Sequence, residues 1–106
     1  MKQINIHQQK YGIETDDLNL IIETIKANDK VLNVNLFGSR AKGNFKQSSD
    51  LDLALITNNL TLDELLEIKI NLNDLMLPFK IDIIDFNKIS NNDLIEHIKQ
   101  FGKVIG

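Results

Sequence analysis

Apolar and polar positions follow two rhythms along this chain. Residues 1–14 are polar and irregular and predict a loose N-terminal lead. Leu18, Ile21, Ile22 and Ile25 then fall at helical spacing. Thr15-Asp16-Asp17 ahead of them supplies a capping residue and first-turn acids, and Asn28-Asp29-Lys30 ends the helix. Val31 to Phe37 alternates as a strand, with Leu32, Val34 and Leu36 on one face and Asn33 and Asn35 on the other. A short polar segment, Gly38 to Ser48, leads to a second strand over Ser49 to Ile56. Thr61 opens the longest helix, and Glu64 completes a capping box. Leu62, Leu65, Leu66, Ile68, Leu72, Leu75 and Met76 supply its apolar positions, and Pro78 stops it. A third strand is expected over Phe79 to Phe86. Ser90 caps a last helix with Leu94, Ile95, Ile98 and Phe101 inward, and Gly102 ends it.

This order predicts an α+β (α/β) domain over 15–106, a small mixed sheet flanked by helices. The first connection between strands is too short for a helical crossover, so antiparallel pairing follows. The long helix between the second and third strands suits a right-handed parallel crossover.

Composition narrows the function. At 106 residues the chain holds one core and no second domain. It has no cysteine, which excludes disulfides and thiolate zinc sites. His7 and His97 are too few for a His-rich metal site and are expected to be structural or surface residues. A net charge of −3 argues against coating nucleic acid, so no direct nucleic-acid binding is expected. The longest apolar run, Leu53 to Ile56, is far short of a membrane span, and no signal peptide opens the chain. A soluble cytoplasmic domain is the expectation.

Chemistry gathers on the strands. Leu51, Leu53 and Leu55 face the core, so Asp50, Asp52 and Ala54 face the other way. Asp50 and Asp52 are then about 6.6 Å apart at Cα and repel each other. Asp82 lies between the core-facing Ile81 and Ile83. Parallel pairing would set it beside the other two, near the start of each strand. Three carboxylates at one sheet edge form a hard-oxygen set for Mg²⁺ or Mn²⁺, and suit a pair of ions roughly 3.5–4 Å apart. Gly38-Ser39 ends the first strand beside them and offers backbone N–H groups and a hydroxyl to a phosphate. Arg40 and Lys42 are placed to add charge there. Asp85 has the wrong parity and reads as a strand-end surface residue. Lys42, Lys46 and Lys80 also suit plain solvated lysines, and Met76 and the five phenylalanines suit core or partner contacts.

Gly38-Ser39, ten residues, then Asp50-Leu51-Asp52 resembles the signature of the DNA polymerase β-like nucleotidyltransferase superfamily. Phe37-Gly38-Ser39-Arg40-Ala41-Lys42-Gly43 with Ser49-Asp50-Leu51-Asp52-Leu53-Ala54 resembles its minimal nucleotidyltransferase (MNT) branch. Lys80-Ile81-Asp82-Ile83-Ile84-Asp85 is similar to that branch's third-carboxylate strand. The resemblance implies that Gly38 and Ser39 hold the β- and γ-phosphates of a nucleoside triphosphate. It implies that Asp50 and Asp52 bind two metal ions, and that Asp82 completes one site and helps take the proton of the attacking hydroxyl. It further implies transfer of a nucleoside monophosphate, AMP from ATP, with a small all-helical HEPN or substrate-binding-type partner in a hetero-oligomer. In toxin–antitoxin pairs of this kind the MNT protein is the antitoxin and modifies a tyrosine of its HEPN partner. Two alternatives stand beside this reading: a non-catalytic antitoxin or binding module, and transfer to a small molecule such as an aminoglycoside with a helical partner.

Overall fold

The computed structural model describes residues 9–106. It opens with a small hairpin, β1 (Gln9–Lys10) against β2 (Ile13–Glu14). Then follow α1 (Thr15–Lys26), β3 (Val31–Phe37), the short helix α2 (Gly38–Lys42) and β4 (Leu51–Thr57). After these come α3 (Leu62–Asn73), β5 (Ile81–Asp85), a 3-10 turn at Phe86–Lys88, α4 (Asn92–Phe101) and β6 (Lys103–Val104). The main sheet has the order β5-β4-β3-β6. β4 runs antiparallel to β3 and parallel to β5, as the lengths of the two connections require. The architecture is the expected α+β one, a mixed sheet with helices against it.

β4 lies inside the sheet, and Leu51, Leu53 and Leu55 are fully buried against Leu18, Ile21 and Ile25 of α1 and Ile68 and Leu72 of α3. Removing each such leucine from water is worth about 1.5–3 kcal/mol. α4 packs against α2 and β3, with Ile98 buried outside that cluster. Among the described residues no helix is long and apolar enough to cross a membrane.

Several elements depart from the sequence expectation. Residues 9–14 are not a loose lead. Tyr11 and Gly12 turn the hairpin with positive φ, and Ile13 is buried in the core. Residues 1–8 of the expected lead, with His7, lie outside the described residues. Helix α1 begins at Thr15, so Glu14 takes the N-cap position. Leu32 does not share a face with Val34 and Leu36. The pairing with β4 slips between Val31 and Asn33, which buries Val31 and turns Leu32 out.

The capping box at Thr61 and Glu64 forms as expected. The inward line of α3 is narrower than expected, however. Ile68 and Leu72 are buried with Leu65 packed beside them, whereas Leu62, Leu66 and Ile70 remain 64%, 44% and 61% exposed. Met76 lies beyond the helix with a positive φ and is 84% exposed, so it is not core. Asn91, rather than Ser90, caps α4, accepting from the backbone N–H groups of Asp93 and Leu94. Strand β6 was not expected. It pairs antiparallel with β3, Leu36 opposite Lys103 and Asn35 opposite Val104. Beyond it, Ile105 N–H donates to the Val34 carbonyl and Val34 N–H to that of Gly106.

Candidate active site

Three strands bring the Gly38 corner, Asp52 and Asp82 to one edge of the sheet. β3 ends at Phe37, whose partner on β4 is Asp52. Asp52 in turn is the register partner of Asp82 on β5. The order across the sheet is therefore the Gly38 corner, Asp52, then Asp82. Asp50 stands two residues before Asp52 and is exposed. The start of β4 is pinned to the approach to β5 by Leu51 N–H donating to the Lys80 carbonyl at 2.8 Å.

Gly38 has φ +76, and a Cβ there would fall inside contact distance of Asp52 Oδ2. Only glycine fits, both for its backbone conformation and for the approach of the carboxylate. Ser39 follows in the first turn of α2, and Gly43 ends that helix in the left-handed region.

The carboxylates share one electrostatic field. Asp52 is half-buried, and its pKa is raised first by desolvation, then by the charges of Asp82 and Asp50. The charge of Lys80 pulls it the other way. Lys80 Nζ lies 3.6 Å from Asp82 Oδ1, an exposed pair that neutralises only part of the edge. Among the described residues no three acidic or imidazole groups are drawn into a closed metal cage. The donors at this edge are nonetheless all carboxylate oxygens, and a hard divalent cation would relieve their mutual repulsion. Asp50, Asp52 and Asp82 thus fit such an ion by the chemistry of their donors, and the sheet register sets Asp52 beside Asp82.

Arg40 does not face this edge. It is 1% exposed and donates to three backbone carbonyls. Nε and Nη2 reach Ser49 at 3.2 and 2.8 Å, Nη2 reaches Gln47 at 3.0 Å, and Nη1 reaches Tyr11 at 3.0 Å. Its guanidinium also lies over the rings of Phe45 and Phe79, at 5.2 and 5.4 Å. Burial lowers its pKa, and the charge of Asp50 opposes this. The expected phosphate contact is corrected accordingly. Arg40 ties the hairpin, the 44–49 loop and the entry to β5 together, with four of its five N–H donors engaged by backbone carbonyls. Lys42 is exposed on α2 with Nζ 5.1 Å above the ring of Phe101.

Asp85 is also corrected. It is buried rather than on the surface, accepting from the Thr57 hydroxyl at 2.8 Å and from Asn87 N–H at 3.1 Å. Its Oδ2 has no hydrogen-bond partner, and Lys88 Nζ lies 4.0 Å away.

One residue at the corner escaped the sequence reading. His97 of α4 accepts a hydrogen bond at Nε2 from Gly38 N–H, at 3.2 Å. Its ring meets Phe37 edge-on at 6.1 Å between centroids and Phe101 at 5.2 Å. The legible signal was the four-residue step from His97 to Phe101, which sets both on one side of a helix.

A cavity of about 560 Å³ is lined by none of the predicted site residues. It lies between the N-terminal hairpin and the loops around Lys46 and Pro78. A smaller one, about 280 Å³, runs beside β5 past Lys80 and Asp82.

A family model described as polymerase β nucleotidyltransferase matches residues 19–106. The chain belongs to this nucleotidyltransferase family. Among solved structures, the nucleotidyltransferase is similar to a chain from a toxin–antitoxin complex with AMP-PNP. That likeness has a TM-score of 0.68 at 25% identity, over 82% of this chain and 70% of that one. A point mutant of the toxin–antitoxin pair MntA–HepT matches with a TM-score of 0.67 at 27% identity, over 83% and 70%. A protein described as a minimal nucleotidyltransferase shares the fold, with a TM-score of 0.64 at 24% identity over 86% and 89%. No curated protein sequence matches the chain.

Proposed function

We propose that this nucleotidyltransferase transfers AMP from ATP to a tyrosine hydroxyl of a small all-helical HEPN-type partner and thereby acts as an antitoxin in the cytoplasm. The observation that carries the reading is the register across β3, β4 and β5, which sets the Gly38-Ser39 corner, Asp52 and Asp82 side by side. The likeness to toxin–antitoxin structures, one with AMP-PNP, supports the nucleotide and the partner.

In this reading Gly38 and Ser39 hold the β- and γ-phosphates. Asp50 and Asp52 would hold two Mg²⁺ or Mn²⁺ ions, and Asp82 would complete one of the sites. When bound, such ions screen the triphosphate and stabilise charge on the leaving group. The acceptor hydroxyl oxygen attacks the α-phosphorus in line. The bond from that phosphorus to the pyrophosphate oxygen breaks, and Asp82 helps take the hydroxyl proton. Arg40 acts at a distance by holding the loop that carries Ser49 and Asp50.

The test is labelling of the partner with α-labelled ATP. The Asp50→Asn, Asp52→Asn double variant is expected to abolish labelling and neutralisation together. Labelling that persists would overturn the assignment. A variant that neutralises without labelling would establish the non-catalytic antitoxin instead. Transfer to a small hydroxyl acceptor in the presence of the partner would establish the third reading.

A further inference from the structure

We infer that His97 is a positioning residue for the triphosphate corner, an inference that rests on the nucleotide-binding reading above. The Phe37–Gly38 peptide is the hinge between β3 and α2, and its N–H, which like every first-turn N–H has no acceptor within its own helix, points to α4. Nε2 of His97 accepts that N–H at 3.2 Å across 59 residues of sequence. An imidazole that accepts at Nε2 is neutral and carries its proton on Nδ1. Phe37 and Phe101 hold the ring on two sides, so its acceptor is aimed before any ligand arrives.

The Phe37–Gly38 peptide lies where β3, paired to Asp52 through Phe37, gives way to the first residue of α2. A glycine at φ +76 is free to rotate where other residues are not. Rotation of this peptide would swing Ser39 away and remove the close approach of Gly38 to Asp52 Oδ2. The bond to His97 therefore couples α4 to the relative placement of phosphate donors and carboxylates. A lost acceptor for a part-buried N–H costs on the order of a tenfold change in an equilibrium. That cost falls on nucleotide affinity, because the corner must be ordered before the phosphates bind.

Two variants of similar bulk separate this role from simple packing. His97→Leu fills the space between the rings but accepts no hydrogen bond. His97→Gln places an acceptor close to the Nε2 position. With the full chain and AMP-PNP in Mg²⁺ buffer, titration calorimetry is expected to show about tenfold weaker binding for His97→Leu. His97→Gln is expected to stay within about twofold of the parent. Amide exchange of Gly38 in the nucleotide-free chain should be slow in the parent and in His97→Gln and faster in His97→Leu. Parent affinity in His97→Leu would overturn the proposal, as would equal weakening in both variants. A parent chain that binds no AMP-PNP would overturn the nucleotide reading itself, and the inference with it. The Gly38 exchange rates would still report whether the hydrogen bond exists.

Discussion

Arg40 donates four hydrogen bonds to three carbonyls from a nearly dry site, so truncating it leaves those carbonyls short of donors. Arg40→Ala is expected to lower stability by roughly 3 kcal/mol in urea unfolding. Lys46→Ala, on the exposed loop, should stay within about 0.5 kcal/mol. Any effect of Arg40→Ala on nucleotide binding should then follow loss of fold rather than loss of a phosphate contact. Arg40→Lys should recover only part of the stability, because one ammonium cannot span three carbonyls. Gly38→Ala meets both a positive φ and Asp52 Oδ2. It is expected to cost roughly 1–3 kcal/mol and to abolish labelling even where the chain stays folded. The alignment of Asp52 with Asp82 was legible because strand parity and the parallel crossover together put both on one face. Arg40 and Asp85 were misread because the same parity says nothing about what covers a side chain. A carbonyl cluster made by the hairpin turn and a distant loop leaves no mark at a single sequence position. His97 was missed for that reason too, since its partner lies on another element.

Among the elements, α3 was the most legible at its start and the least legible along its length. The Thr61–Glu64 box is a local pattern, and local patterns survive tertiary context. Glu64 also accepts from Asn28 and Lys30, at 3.0 and 2.7 Å. Together these bonds pull its pKa from the usual 4.5 to about 2, the Lys30 bond most of all. A depressed carboxylate stabilises the fold above the pKa of the unfolded chain. That contribution is lost as pH falls from about 4.5 towards 2. Glu64→Gln should therefore be less stable than the parent at pH 7, and the difference between their urea midpoints should shrink at pH 3. Thr61→Ala should cost about 1 kcal/mol at either pH. The outer positions of α3 were misassigned because leucine content exceeds what one helix face can bury. Leu62, Leu66 and Ile70 form a second line at four-residue steps, outside the stripe that reaches the core. β6 was illegible for the opposite reason. Two residues are too few for any period to show, and its strand character comes from the open edge of β3.

At the scale of the whole molecule, the net charge of −3 is unevenly spread, with three carboxylates at one sheet edge. Asp52 has a raised pKa, so its charge opposes folding, and this cost is present once pH exceeds its folded value. Asp52→Asn is expected to raise the melting temperature at pH 7 in EDTA, with the gain vanishing as the parent protonates in acid. Adding Mg²⁺ or Mn²⁺ should raise the melting temperature of the parent and leave the Asp50→Asn, Asp52→Asn double variant unmoved. A parent that ignores both ions in thermal scans would argue against a metal site at this edge. The last strand has a consequence in time rather than in energy. β6 is made after β5, yet it closes the edge of β3, the strand that ends at the Gly38 corner. During synthesis, β3, β4 and β5 emerge from the ribosome with every aspartate in place but with β3 still open on one side. The edge of β3 therefore closes only after Lys103 and Val104 have been made, later than the strands that carry Asp52 and Asp82.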